Sequence, residues 1–86
     1  MSVTTLSTPA APEELRDLLV GCRERLHASQ ERVAIRVGVS GRHYGDLERG
    51  RVRRPNDALL EKVAEVLAMS PAEQARMREL LDALPA

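Results

Sequence analysis

Apolar residues recur along most of the chain at intervals of three and four, the spacing of helices with one buried face. Leu15, Leu18, Leu19, Cys22 and Leu26 mark a first helix over about Glu13–His27. Pro12 suits its first position, and Glu13 and Glu14 favour the positive end of its dipole. Val33, Ala34 and Val37 mark a second helix over Gln30–Val37, with Ser29 as N-cap and Gly38 at the left-handed position that ends it. Val39 is the apolar residue of the following turn, and Ser40 caps a third helix that buries Tyr44 and Leu47 and stops at Gly50. Pro55 forbids a continuous helix across the basic loop Arg51–Pro55. Asn56 then caps a fourth helix, which turns Leu59, Leu60, Val63, Val66 and Leu67 inward. Ser70-Pro71-Ala72-Glu73 is a capping box with proline at N1, opening a fifth helix over about residues 71–84. Its stripe is Met77, Leu80, Leu81 and Leu84. Residues 1–11 are Ser-, Thr-, Pro- and Ala-rich without a period, so a disordered arm is expected there, with residues 12–86 forming one domain. The expected class is all-α, a compact five-helix bundle.

Composition narrows the function more than the fold. A chain of 86 residues supports one modest core, so stability beyond a few kcal/mol needs tight packing or a partner subunit. One tyrosine is the whole aromatic content. The single cysteine, Cys22, excludes an internal disulfide, and its place on the first apolar stripe marks it as core. No apolar run is long enough to span a bilayer and no signal-peptide core is present, so a cytoplasmic, nucleoid-associated location is expected. Catalytic readings lack their parts. His27 and His43 have no Cys or carboxylate at metal-ligand spacing, no glycine-rich phosphate loop follows a strand, and no Ser–His–Asp arrangement stands out. Neither enzymatic activity nor a cofactor or metal is expected.

Formal net charge is zero, but its distribution is uneven. Between Gly41 and Arg54 stand Arg42, Arg49, Arg51, Arg53 and Arg54 against Asp46 and Glu48, a stretch of about +3 in a neutral chain. Such a molecule approaches phosphate favourably by one edge only. Arginine suits that task, although all the basic residues but Lys62 are arginine, which also fits GC-rich coding.

The span Gln30–Arg49 combines these signals. Two helices crossing steeply through a short turn need a small residue where their backbones touch, here Ala34, and a residue free to take positive φ, here Gly38. Val33, Val37, Val39, Tyr44 and Leu47 then lock the second helix to the first and leave its opposite face free. This pattern resembles the helix-turn-helix of the Cro/repressor, or xenobiotic-response-element (XRE), family. The matching residues are Ser29-Gln30-Glu31, Gly38-Val39-Ser40, Leu47-Glu48-Arg49-Gly50, the basic loop to Pro55, and Val63-Ala64-Glu65-Val66-Leu67. The resemblance covers about Leu15–Met69. The arginine-rich composition, His43-Tyr44 and the Ser70-Pro71 helix look most like actinobacterial MmyB-like regulators, in which a ligand-binding domain usually follows this region.

The resemblance implies a lambda-repressor-like bundle that binds double-stranded DNA as a transcriptional regulator, with the third helix in the major groove. It implies phosphate contacts from Gln30 and Ser40 at two helix starts, and groove-facing positions at Gly41, Arg42, His43 and Asp46. Arg42 can donate bidentately to guanine. Asp46, one turn on, can accept from cytosine, but pairing with Arg42 to fix its rotamer is favoured. His43 is a groove contact or an idle surface residue. Arg51, Arg53 and Arg54 are backbone clamps or simply a soluble loop. The resemblance also implies an Arg23–Glu48 ion pair tying helix 3 to helix 1. Gly41 offers no side chain where relatives often place a base-reading one. Gly45 costs about 1 kcal/mol against Ala in a helix, and either permits a close backbone approach or is a tolerated weakness. Ile35 is apolar on a side expected to meet solvent.

The fifth helix has two open readings. Its stripe Met77, Leu80, Leu81 and Leu84 either covers the core or forms a two-fold interface, and a single half-site reader binds weakly enough to favour a homodimer. A rival to DNA binding altogether is a protein-binding module, an antitoxin or a sigma-factor or antirepressor partner, working through this helix.

Overall fold

A computed structural model describes residues 10–52 and 54–85. They form α1 (Ala11–Arg25), α2 (Gln30–Val37), α3 (Gly41–Glu48), α4 (Asp57–Val66) and α5 (Pro71–Asp82), with no strand among them. Short polar caps set four of the five starts. Ser29, Ser40, Asn56 and Ser70 each take an extended backbone, and each side-chain oxygen accepts the N–H three residues on. Each cap satisfies a donor the helix leaves unpaired, worth about 1 kcal/mol. At Ser70 the box closes both ways, the Glu73 carboxylate accepting from the Ser70 N–H at 2.9 Å.

Helix α1 differs from the expectation. It begins at Ala11, not Glu13, and ends at Arg25; Pro12 therefore occupies the second position rather than the first. No side chain among the described residues caps it. What holds the start is packing: Ala11, assigned to the arm by its composition, is 3% exposed in the core. Residues 1–9, the rest of the expected arm, lie outside the described residues, as does Arg53.

One core joins all five helices. Leu15, Leu19 and Cys22 of α1 meet Val33 and Ala34 of α2, Tyr44 and Leu47 of α3, Leu60, Val63 and Ala64 of α4, and Met77 and Leu80 of α5. Burying each large side chain is worth roughly 1.5–3 kcal/mol. Burial pushes the Cys22 thiol pKa up, with the Glu73 carboxylate adding to the effect, so it behaves as a small apolar residue. α1 packs on α5 and α3, and α2 packs on α3 and α4.

Two glycines make this packing possible. Gly38 takes φ +94, and its N–H and that of Val39 both donate to the Ala34 carbonyl, turning the chain sharply between α2 and α3. Gly50 takes φ +73 beneath Leu84 and Pro12; a Cβ there would stand 3.1 Å from Leu84 Cδ2 and 3.4 Å from the Pro12 Cα. The end of α5 and the start of α1 thus close over the end of α3.

Met77 (1% exposed) and Leu80 (4%) face that core, so these two members of the expected α5 interface are not on the surface. The reason is geometric: α5 lies along α1, and the first half of its stripe is consumed there. Leu81 and Leu84 remain half-buried and line an open groove with Leu60, crossed by the Arg78–Asp57 ion pair. No helix among the described residues is long and apolar enough to cross a membrane.

Candidate nucleic-acid interface

The sequence of α3, Gly41-Arg42-His43-Tyr44-Gly45-Asp46-Leu47-Glu48, divides cleanly between two faces. Tyr44, Gly45, Leu47 and Glu48 are buried, whereas Gly41, Arg42 and His43 are exposed and Asp46 is half-buried. The helix starts outward because Ser40 caps it, its Oγ accepting the His43 N–H at 3.0 Å. Accepting leaves the hydroxyl's own proton free for an outside partner.

Glu48 anchors the other face. Its carboxylate is 1% exposed, and Arg23 of α1 meets it with two donors, Nε at 2.8 Å from Oε2 and Nη2 at 3.2 Å from Oε1. Arg23 Nη1 donates to the Ala28 carbonyl at 3.1 Å, which fixes the loop before α2. Gln30, the first residue of α2, adds a third donor to the carboxylate, Nε2 at 2.7 Å from Oε1. The Gln30 amide therefore turns inward; it does not stand free at the helix start. The same network faces Tyr44, whose fully buried hydroxyl has no hydrogen-bond partner among the described residues, and burial beside Glu48 drives its pKa far up. Three helices converge on one carboxylate, so the direction of α3 is set by α1 and α2 together.

On the exposed edge, Asp46 does not pair with Arg42. Its carboxylate lies 3.5 Å from Arg49 Nη1, three residues on. At i+3 the Arg49 side chain folds back along α3, over Gly45, where no Cβ obstructs it. Arg42 is left without a carboxylate partner among the described residues, as are Arg51 and Arg54. Elsewhere Arg25 is bound to Glu73, Arg76 to Glu14 and Glu79, and Arg78 to Asp57. Arg16, Arg32 and Arg36 are also unpaired among the described residues, so it is the density of arginines along the segment from Gly41 to Arg54, and not lack of partners, that distinguishes it. Because Glu48 is neutralised inside by Arg23, it offsets none of that exposed positive charge.

Arg49 was not singled out as a site residue by the sequence. Its signal was the spacing to Gly45, one helical turn earlier, which shows only once the glycine is read as space and not as weakness. Ile35 stands 73% exposed on α2, away from the core.

No curated protein and no solved structure matches this chain. A family model, described as a helix-turn-helix domain, matches residues 12–77, which reach from the first turn of α1 to Met77 of α5. The chain belongs to the helix-turn-helix domain family.

Proposed function

We propose that this protein is a sequence-specific regulator of transcription, of the Cro/repressor (XRE) type and close to the MmyB-like regulators, that presents α3 to the major groove of double-stranded DNA. The observation that carries the reading is an α3 anchored from behind by a buried carboxylate, with exposed arginines on it and in the loop after it. Buried Glu48 fixes the helix from behind, Arg42 is exposed on its first turn, and Arg51 and Arg54 are exposed in the segment that follows it, none of the three with a carboxylate partner among the described residues. Arg42, His43 and Asp46 are the base-contacting candidates, and Arg42 is the sharpest because turning to a guanine edge breaks no ion pair with a described residue. Ser40, Arg51, Arg53 and Arg54 contact the flanking backbone. At the start of α2 the phosphate partner is the backbone N–H of Gln30, since the side-chain amide is held by Glu48.

Two copies bind a two-fold site, each reading one half. Of the α5 stripe, Leu81 and Leu84 are the surface left for pairing. The same groove supports a second reading, the docking of a different protein. Selection of bound fragments from random duplex DNA tests the proposal. A two-fold motif, with affinity falling steeply as salt rises, supports it. If no fragments are enriched and Leu81→Asp abolishes capture of a protein partner, the second reading stands instead.

A further inference from the structure

We propose that Gly45 positions Arg49 as a contact to the DNA backbone, making the glycine in α3 a functional vacancy beside a phosphate-binding side chain. The inference rests on the DNA-binding reading above. Gly45 does not have positive φ, so backbone freedom is not why glycine stands there. Space is. A Cβ at residue 45 would lie 3.1 Å from Arg49 Nη1, 3.7 Å from Arg49 Cζ and 3.5 Å from Gln30 Oε1. The guanidinium therefore occupies the space over Gly45 that a side chain would fill, and the Gln30 amide oxygen borders the same space. Gln30 is itself pinned by its donation to Glu48, so the wall on that side is fixed.

The site gives its arginine room but little charge compensation. Asp46 is the one carboxylate near Arg49 among the described residues, at 3.5 Å, the outer limit of a hydrogen bond, and the Arg49 side chain is 50% exposed. Several guanidinium N–H donors thus remain for an outside anion. Phosphate fits better than a base edge. The base-facing residues Gly41 and Arg42 begin α3, whereas Arg49 lies past its other end and folds back over Gly45, where Gln30 of α2 also approaches. A second effect follows for specificity. By drawing on Asp46, Arg49 keeps that carboxylate from neutralising Arg42.

The test is a double-mutant cycle on a labelled duplex of mixed sequence, about two helical turns long, titrated at several salt concentrations, with thermal melting of every variant. Arg49→Ala is expected to weaken binding about tenfold and to lower the slope of log K against log salt by about one. Gly45→Met, which displaces the guanidinium, should lose about as much in the natural background and nothing further beside Arg49→Ala. Gly45→Ala should melt no lower than the natural protein, since alanine favours the helix, yet bind more weakly. Should Gly45→Met melt early, Gly45→Ala and Arg49→Lys carry the test, the lysine keeping the slope while losing part of the affinity. The inference is overturned if the natural protein binds and Arg49→Ala changes neither affinity nor slope. It is also overturned if substitution at Gly45 weakens binding equally with Arg49 absent. If the natural protein ignores the duplex at low salt, the DNA-binding reading itself falls, and this inference with it.

Discussion

Arg23 and Glu48, from the first and third helices, meet through two donors on one buried carboxylate, and Gln30 closes the third side. A buried pair of this kind is weak evidence for net stability, because desolvation offsets much of the attraction. Its value is directional: it ties α3 to both α1 and α2. Arg23→Met leaves Glu48 buried and unpaired and is expected to cost about 3–5 kcal/mol in urea unfolding. Adding Glu48→Leu should recover most of that loss. Recovery of stability without recovery of DNA binding would separate the orienting role from the energetic one.

The Tyr44 hydroxyl is buried with no partner at hydrogen-bond geometry among the described residues, so its desolvation is not repaid by a protein group there. Tyr44→Phe is therefore expected to leave stability unchanged or raise it by about 1 kcal/mol. Tyr44→Ala should cost about 3–5 kcal/mol through the cavity it leaves. A thermal unfolding series across the three side chains checks both signs.

Two exchanges between glycine and alanine offer local gains. Gly21 is exposed in the middle of α1 with nothing within 4 Å of an added Cβ, so Gly21→Ala should stabilise by about 1 kcal/mol. Ala68 sits at φ +53 just past α4, a conformation that suits glycine, and Ala68→Gly should gain about 1 kcal/mol. Denaturant midpoints with unchanged slopes are the check.

The pair between Arg25 and Glu73 ties the end of α1 to the start of α5, with donors at 2.9 and 3.2 Å. First the Arg25 guanidinium and then the Ser70 N–H hold the Glu73 carboxyl at about 2, below its ordinary 4.5. A carboxyl with a lowered pKa stabilises the fold once ionised in both states, so its contribution is complete above about pH 4.5 and fades as pH falls toward 2. The stability difference between the natural protein and Glu73→Gln should accordingly be flat from neutral pH down to about 5 and shrink below that. A difference that grows on acidification would contradict the pairing.

Much of this molecule was legible because its signals are local. The caps Ser29, Ser40, Asn56 and Ser70 act within three residues of themselves, and each opens its helix where the sequence puts it. Gly38 and Gly50 likewise announce turns that need positive φ. What sequence could not resolve depends on which neighbour wins. Ala10-Ala11 has the composition of the segment before it, and only the approach of α5 and Gly50 shows that α1 starts there. Asp46 has Arg42 and Arg49 at helical spacing on either side, and the space over Gly45 decides for Arg49. The α5 stripe splits the same way: periodicity marks Met77, Leu80, Leu81 and Leu84 as one face, but α1 buries the first two and leaves the last two half-covered. Ala68 carries no composition signal for a left-handed residue at all.

The most direct test of the account compares natural protein and Arg42→Ala on two duplexes, the motif recovered by selection and a scrambled control. Loss of a bidentate guanine contact is worth about 1–3 kcal/mol. Arg42→Ala is expected to lower affinity for the motif by about tenfold or more while changing affinity for the control far less, with melting unaltered. Equal loss on both duplexes, or no loss on either, would contradict a groove-reading α3.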